Sequence, residues 1–273
     1  MFDEFVSFVV LAVSVLCGIG VLAAVHSVRA KRRACRALGA QLLQAFRMLI
    51  KHLQVHRGIT AAHLGGETNL GERLKNEAHS ITNDIASIVR LDPLLTEHED
   101  WHGITKHWAK LSLTRYGSDP YDTYQQHCKL IAACLAMMRH IAFHYRINES
   151  HGSNERIYWY ELLFLGEKLG QLRALGTMRL TLTQRLKVKQ KSTERVTKTL
   201  KEIDAMFQNK RLQEKIGPAY CDEINNFIAM VEHYIIAGDA WMSTKSYFDR
   251  ATETIDLIYK CFDEEMQLLL RSV

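Results

Sequence analysis

Hydrophobic positions along this chain follow two different patterns. From Phe5 to Val25 the sequence reads FVSFVVLAVSVLCGIGVLAAV, an unbroken apolar run without a charged side chain. Beyond it, apolar residues recur every three or four positions almost to the C-terminus, the spacing of a single helix face. Leu42, Phe46, Leu49, Leu53, Thr60 and Leu64 mark one broad stripe, which stops near Gly65 and Gly66. Further helices are predicted over 70–91, 96–116 and 121–147, broken at Asp92–Pro93 and at Gly117–Pro120. The polar stretch 148–154, NESHGSN, is the clearest loop. After it Leu162, Leu165, Leu169, Leu172 and Gly176 form a close-packing seam in a helix reaching about residue 190. Helices over 192–209, 218–237 and 241–270 complete the chain. The last one repeats Phe248, Ile255, Phe262 and Leu269 every seven residues, supported by Ala251 and Ile258. No segment alternates as a strand. The predicted fold is all-α: an N-terminal transmembrane helix followed by two up-down four-helix bundles, because long amphipathic helices joined by short loops pack antiparallel.

At 1.5 Å per residue the apolar run covers roughly 31 Å, enough to cross a hydrocarbon core. Asp3 and Glu4 precede it where a cleavable signal would carry Lys or Arg. Arg29, Lys31, Arg32, Arg33 and Arg36 follow, and positive charge on that side places the rest of the chain in the cytoplasm. The expected organisation is a single transmembrane anchor over 1–28 and a basic juxtamembrane segment over 29–41. A folded domain over 42–270 follows, with an internal boundary near 148–154. The first helix of that domain is free to run on from the anchor without a break.

With 47% hydrophobic and 24% charged residues, the 273-residue chain is not disordered, and 3 prolines with 15 glycines are too few for a β-sandwich or barrel. A net charge of +5 does not by itself point to nucleic acid. The basic stretch from Arg185 to Lys201 lacks the interleaved aromatics that stack bases, so it reads as a solvated helix end. Six scattered cysteines without a CxxC pair argue against a disulfide scaffold and fit a reducing compartment.

No phosphate-binding loop, GxGxxG, HExxH or GxSxG sequence is present, and the chain reads as a non-enzyme. Among the 13 histidines, His52/His56, His98/His102 and His140/His144 share helix faces at i, i+4 spacing. None has the adjoining Glu of a metalloprotease or a cysteine pair, so no metal or cofactor is assigned. Two arginines stand out. Arg57 lies four residues after Leu53 and four before Ala61; Arg173 lies four after Leu169 and three before Gly176. Each guanidinium therefore falls on or beside an apolar face, where it needs an anion. The simplest partner is a Glu or Asp of a neighbouring helix; snorkelling to water and a bound small anion are the alternatives. If the two converge, their forks would clamp a small planar oxyanion.

At these residues the chain resembles a known family. HLQVHRGITAAHLGGE, from His52 to Glu67, is similar to the first-helix motif of the NIT domain, a bacterial nitrate- and nitrite-sensing module. Leu53, Gln54, Arg57, Gly58, Ile59, Thr60 and Ala61 carry that match. LGEKLGQLRALGTMRL resembles the family's fifth-helix segment through Gly166, Glu167, Gly170, Arg173, Ala174 and Leu175. The stretch from Trp241 to Leu270 is similar to its closing helix.

The resemblance implies a sensor of two four-helix bundles, commonly a homodimer, that binds nitrate or nitrite and passes a shape change to a separate output protein. It assigns the ligand to Arg57 and Arg173, with His56, Arg179 and Arg47 as possible auxiliaries. The expected site of action is the inner (plasma) membrane of a bacterium, held there through lipid contact of the N-terminal helix. His56 stands where the family has Glu, and Val55 and Gln171 where it has arginines; a protonated His56 would restore one charge. The alternative is a ligand-free helical adaptor at the membrane in which both arginines are ion-pair partners.

Overall fold

A computed structural model of the chain describes residues 2–113, 118–147, 157–181, 186–238 and 242–271. The side chains of residues 1–15 and of Thr68, Leu186, Lys187 and Lys189 lie outside that description. Among the described residues the structure is all-helical, without a strand. Its α-helices are α1 (Phe2–Gly65), α2 (Gly71–Leu91), α3 (Glu99–Leu111), α4 (Pro120–His144), α5 (Trp159–Thr181), α6 (Leu186–Phe207), α7 (Lys210–Ile216), α8 (Pro218–Val231) and α9 (Thr244–Arg271).

Helix ends fall where local chemistry stops or starts them. Gly66, at φ +126°, breaks α1 from α2 in a conformation that side chains rarely adopt. Asp92 ends α2 in an extended conformation, and its carboxylate accepts from the Leu94 amide at 3.1 Å. Asp119 caps α4 by accepting from the Tyr121 and Asp122 amides, both at 2.9 Å, with Pro120 in the first turn.

The structure revises several predicted boundaries. Helix α3 begins at Glu99, because Pro93–Glu97 forms a tighter 3₁₀ turn. Helix α5 ends at Thr181 and α6 already begins at Leu186, while the predicted loop near 190 is helical. The short helix α7 was not foreseen; Asn209 caps it and Gly217, at φ +85°, ends it. The stretch Glu232–Ala237 widens into a π turn. The predicted boundary at 148–154 lies outside the described residues.

Helix α1 runs unbroken from Phe2 to Gly65. From Leu16 to Cys35 every side chain is exposed, including Leu16, Ile19, Leu22 and Val25, and burial begins at Arg36. No helix among the described residues is long and apolar enough to cross a membrane; the side chains of Phe5 to Val15, half of the apolar run, lie outside the description.

The remainder of α1 packs on α2, α4, α5 and α9, while α5 packs on α1, α4, α6 and α9. Buried apolar residues from α1 through α9 form one contiguous cluster, so the two halves of the sequence share a core. Every residue of α5 from Leu165 to Met178 is buried. Its glycines explain how neighbours approach on so many sides. A Cβ on Gly166 would lie 3.2 Å from the Tyr259 ring of α9, and one on Gly170 would lie 2.9 Å from the Arg57 guanidinium of α1. At Gly176 a Cβ would collide with the Tyr247 ring, whose hydroxyl donates to the Leu172 carbonyl at 2.8 Å.

Gly176→Ala is expected to cost about 1–3 kcal/mol by displacing Tyr247. By contrast, Gly103→Ala, in open space inside α3, is expected to add about 0.5–1 kcal/mol. Chemical denaturation followed by circular dichroism reads both; equal effects would contradict this packing of α5.

Candidate functional site

A cluster of buried polar groups lies where α1, α5 and α9 meet. Arg57 is 1% exposed and Glu167, 110 positions later, is 4% exposed. The guanidinium grips the carboxylate with both prongs: Nη1 donates to Oε1 at 2.6 Å and Nη2 to Oε2 at 3.2 Å. Gln54, one helical turn before Gly58, donates to Glu167 Oε2 at 2.9 Å and accepts from the Tyr259 hydroxyl at 2.8 Å. Gln171 donates to Glu167 Oε1 at 2.9 Å, and its own oxygen accepts from Arg195 of α6 at 3.1 Å. Through the two glutamines the network around this carboxylate reaches four helices, α1, α5, α6 and α9. Burial works against the charge on Arg57, but Glu167 outweighs it and holds the guanidinium above its ordinary pKa.

Arg173 sits two turns after Glu167 on α5 and is also 1% exposed. It has no comparable partner. Its Nη1 donates to the Thr252 hydroxyl at 2.8 Å, and its guanidinium carbon lies 4.7 Å from the centre of the Phe248 ring. Its Nε is buried without a hydrogen-bond partner, and among the described residues no carboxylate reaches salt-bridge distance. Burial, reinforced by the neighbouring Arg57 charge, pushes its pKa down to about 10. Glu77 of α2 feels the charge of Arg173 from farther away, and its own Oε1 is buried without a partner. The interior therefore combines two cations with one fully engaged carboxylate, Glu167, and a half-buried second one, Glu77, at a greater distance.

Phe248 links this interior to the surface. Gly58 leaves room for its ring, since a Cβ there would lie 2.6 Å from the ring edge. Arg73 of α2 also approaches the ring, at 6.0 Å. Phe248, Arg73, Thr177, Thr244 and Lys245 line a cleft of about 220 Å³ beside Arg173's helix. The Thr177 hydroxyl is buried and unpartnered.

The other predicted residues are placed elsewhere. His56 adjoins Arg57 in sequence but points about 100° around the helix. Its Nδ1 meets His127 Nε2 of α4 at 2.9 Å, and its ring stands edge-on to Trp108 at 5.1 Å. Burial pushes its pKa down to about 4, so it is neutral at physiological pH and does not restore the expected positive charge. Arg47 pairs with Asp263 at 2.9 Å, and Arg179 donates to the Ile235 carbonyl at 3.3 Å. Each has a partner of its own, although the Arg47 guanidinium also lies 5.6 Å from the centre of the Tyr259 ring at the edge of the Arg57–Glu167 network. Glu167, Phe248 and Thr252 were not singled out as functional from sequence. A charged Glu167 within an otherwise apolar seam was the available signal, whereas Phe248 and Thr252 looked like ordinary positions of the closing helix.

No family model, curated protein or solved structure matches this chain.

The neutral His56 makes stability depend on pH. An unfolded histidine takes a proton near pH 6.5, so below that value the unfolded state binds more protons than the folded one. His56 alone should therefore contribute a fall of about 3 kcal/mol as pH drops from about 6.5 to about 4, and the buried His127, whose pKa burial also pushes down, adds to it. Denaturant titrations across this range should show a smaller fall in His56→Gln; an identical fall would contradict a buried neutral His56.

Proposed function

We propose that the chain is a membrane-anchored, non-enzymatic sensor of a small oxyanion, nitrate or nitrite, in the manner of the NIT domains it resembles. The observation that carries this reading is the unneutralised Arg173. An arginine buried without a carboxylate costs several kcal/mol, and a small anion would remove most of that cost. Arg57, already gripped by Glu167, takes a different role: it holds α1 against α5 and sets the position from which Arg173 faces α9. The ligand group is then Arg173, with the unpartnered Thr177 hydroxyl able to donate to a planar oxyanion and Phe248 between them and the cleft; the Thr252 hydroxyl, which donates to the Phe248 carbonyl, serves Arg173 only as an acceptor.

Signalling follows from the same packing. An anion at Arg173 must compete with the Phe248 ring and the Thr252 contact, so occupancy would shift α9 relative to α5. The shift can be no larger than the anion's preference for one packing over the other. Paired four-helix bundles, an N-terminal anchor in the plasma membrane of a bacterium, and a cytoplasmic sensor working as a homodimer with a separate output protein belong to this proposal. The exposed apolar side chains Leu16, Ile19, Leu22 and Val25, followed by the arginines from Arg29, support the anchor.

One observation favours a second reading. The Arg57–Glu167 pair is what a ligand-free helical adaptor would contain, with both arginines serving structure. The two readings separate on binding. Calorimetry with nitrate and with nitrite on the full chain should detect one anion per chain in the wild type and none in Arg173→Ala, with helicity retained. Equal affinity in the variant, or no binding by the wild type, would leave the adaptor.

A further inference from the structure

One histidine from each of two pairs seen in the sequence, His98 and His140, comes together on the surface between the start of α3 and the end of α4. His98 is the residue just before α3, and its side chain makes no capping bond to that helix. Asp100 follows in the first turn, and His140 lies one turn before the end of α4. One ligand atom from each of the three lies within 4.8 Å of the others. The Asp100 Oδ2 is 3.8 Å from His98 Nδ1 and 3.5 Å from His140 Nδ1. Around tetrahedral zinc, with bonds near 2.0–2.2 Å, neighbouring donors stand about 3.3–3.5 Å apart. The two carboxylate–imidazole distances are therefore within a few tenths of an ångström of a coordination shell, and the two imidazoles, within 4.8 Å of each other, sit on exposed side chains free to close the rest.

We infer that His98, Asp100 and His140 form a solvent-open site for zinc or a neighbouring late first-row divalent ion. Two imidazoles and one carboxylate suit such ions better than magnesium or calcium, which prefer all-oxygen shells. Three protein donors leave at least one position for water or for an added ligand, the arrangement of an exchangeable site rather than a closed structural one. His144 lines the same groove of about 410 Å³, together with Leu94, which is 69% exposed, and Phe143, which is 85% exposed. A metal here would fasten the start of α3 to the end of α4. It lies apart from the Arg57–Arg173 interior and does not depend on oxyanion binding.

The test uses the full chain in detergent, stripped with a chelator and titrated with zinc chloride by calorimetry, with magnesium chloride as the comparison. Cobalt(II) absorption reports coordination directly. One zinc per chain with micromolar or tighter affinity, a cobalt spectrum of tetrahedral type and no magnesium binding are expected. His98→Ala should weaken zinc at least tenfold, and Asp100→Asn should weaken it and alter the cobalt spectrum. All three residues are exposed, so thermal unfolding should match the wild type without metal. If His98→Ala leaves zinc affinity unchanged, the metal is held by the His140/His144 pair alone and the site is overturned. It is equally overturned if the wild type binds no zinc.

Discussion

Everything in the interior is arranged around a shortage of negative charge. Of the two arginines in this interior, Arg57 takes both oxygens of the buried carboxylate Glu167, while no carboxylate among the described residues reaches salt-bridge distance of Arg173. Breaking such a pair leaves a lone buried charge and costs about 3–5 kcal/mol, so the α1–α5 contact is held by strong constraint as well as by packing. Arg173 is left with a hydroxyl and an aromatic face. Neither neutralises it.

That shortage is built into α5. The helix is buried on all sides only because Gly166, Gly170 and Gly176 let Tyr259, Arg57 and Tyr247 approach its backbone. Side chains at those positions would push α1 and α9 outward and admit water to the guanidinium groups. Gly58 performs the same service on α1 for Phe248, which separates Arg173 from the surface cleft. The glycines flanking the arginines therefore keep two charges dry, and the aromatic ring beside Arg173 is the element best placed to move.

Much of this was legible in the sequence. Three- and four-residue spacing placed the stripes of α1 and α5 on buried faces, and the heptad-spaced residues of α9 are buried from Ile255 onward. The same spacing singled out Arg57 and Arg173 correctly as interior groups. Periodicity in one helix, however, says nothing about which residue of another helix arrives opposite, so the neutralisation of Arg57 by Glu167 could not be derived from it. His56 misled for a related reason: adjacency along the chain suggested a shared site, while the helical turn carries it to His127 and Trp108. Helix α7 was missed because seven residues give too few turns for a periodic signal, and His98 met His140 only through the fold.

The most direct test of a surplus interior charge is the unfolding free energy of Arg173→Met, measured in nitrate-free buffer and again with saturating nitrate. A residue carrying an uncompensated charge is replaced by an apolar side chain of similar length without loss, so the variant should be at least as stable as the wild type when nitrate is absent. Nitrate should then stabilise the wild type alone. A variant several kcal/mol less stable in nitrate-free buffer, with a wild type indifferent to nitrate, would show that Arg173 is already satisfied by its neighbours and contradict the account.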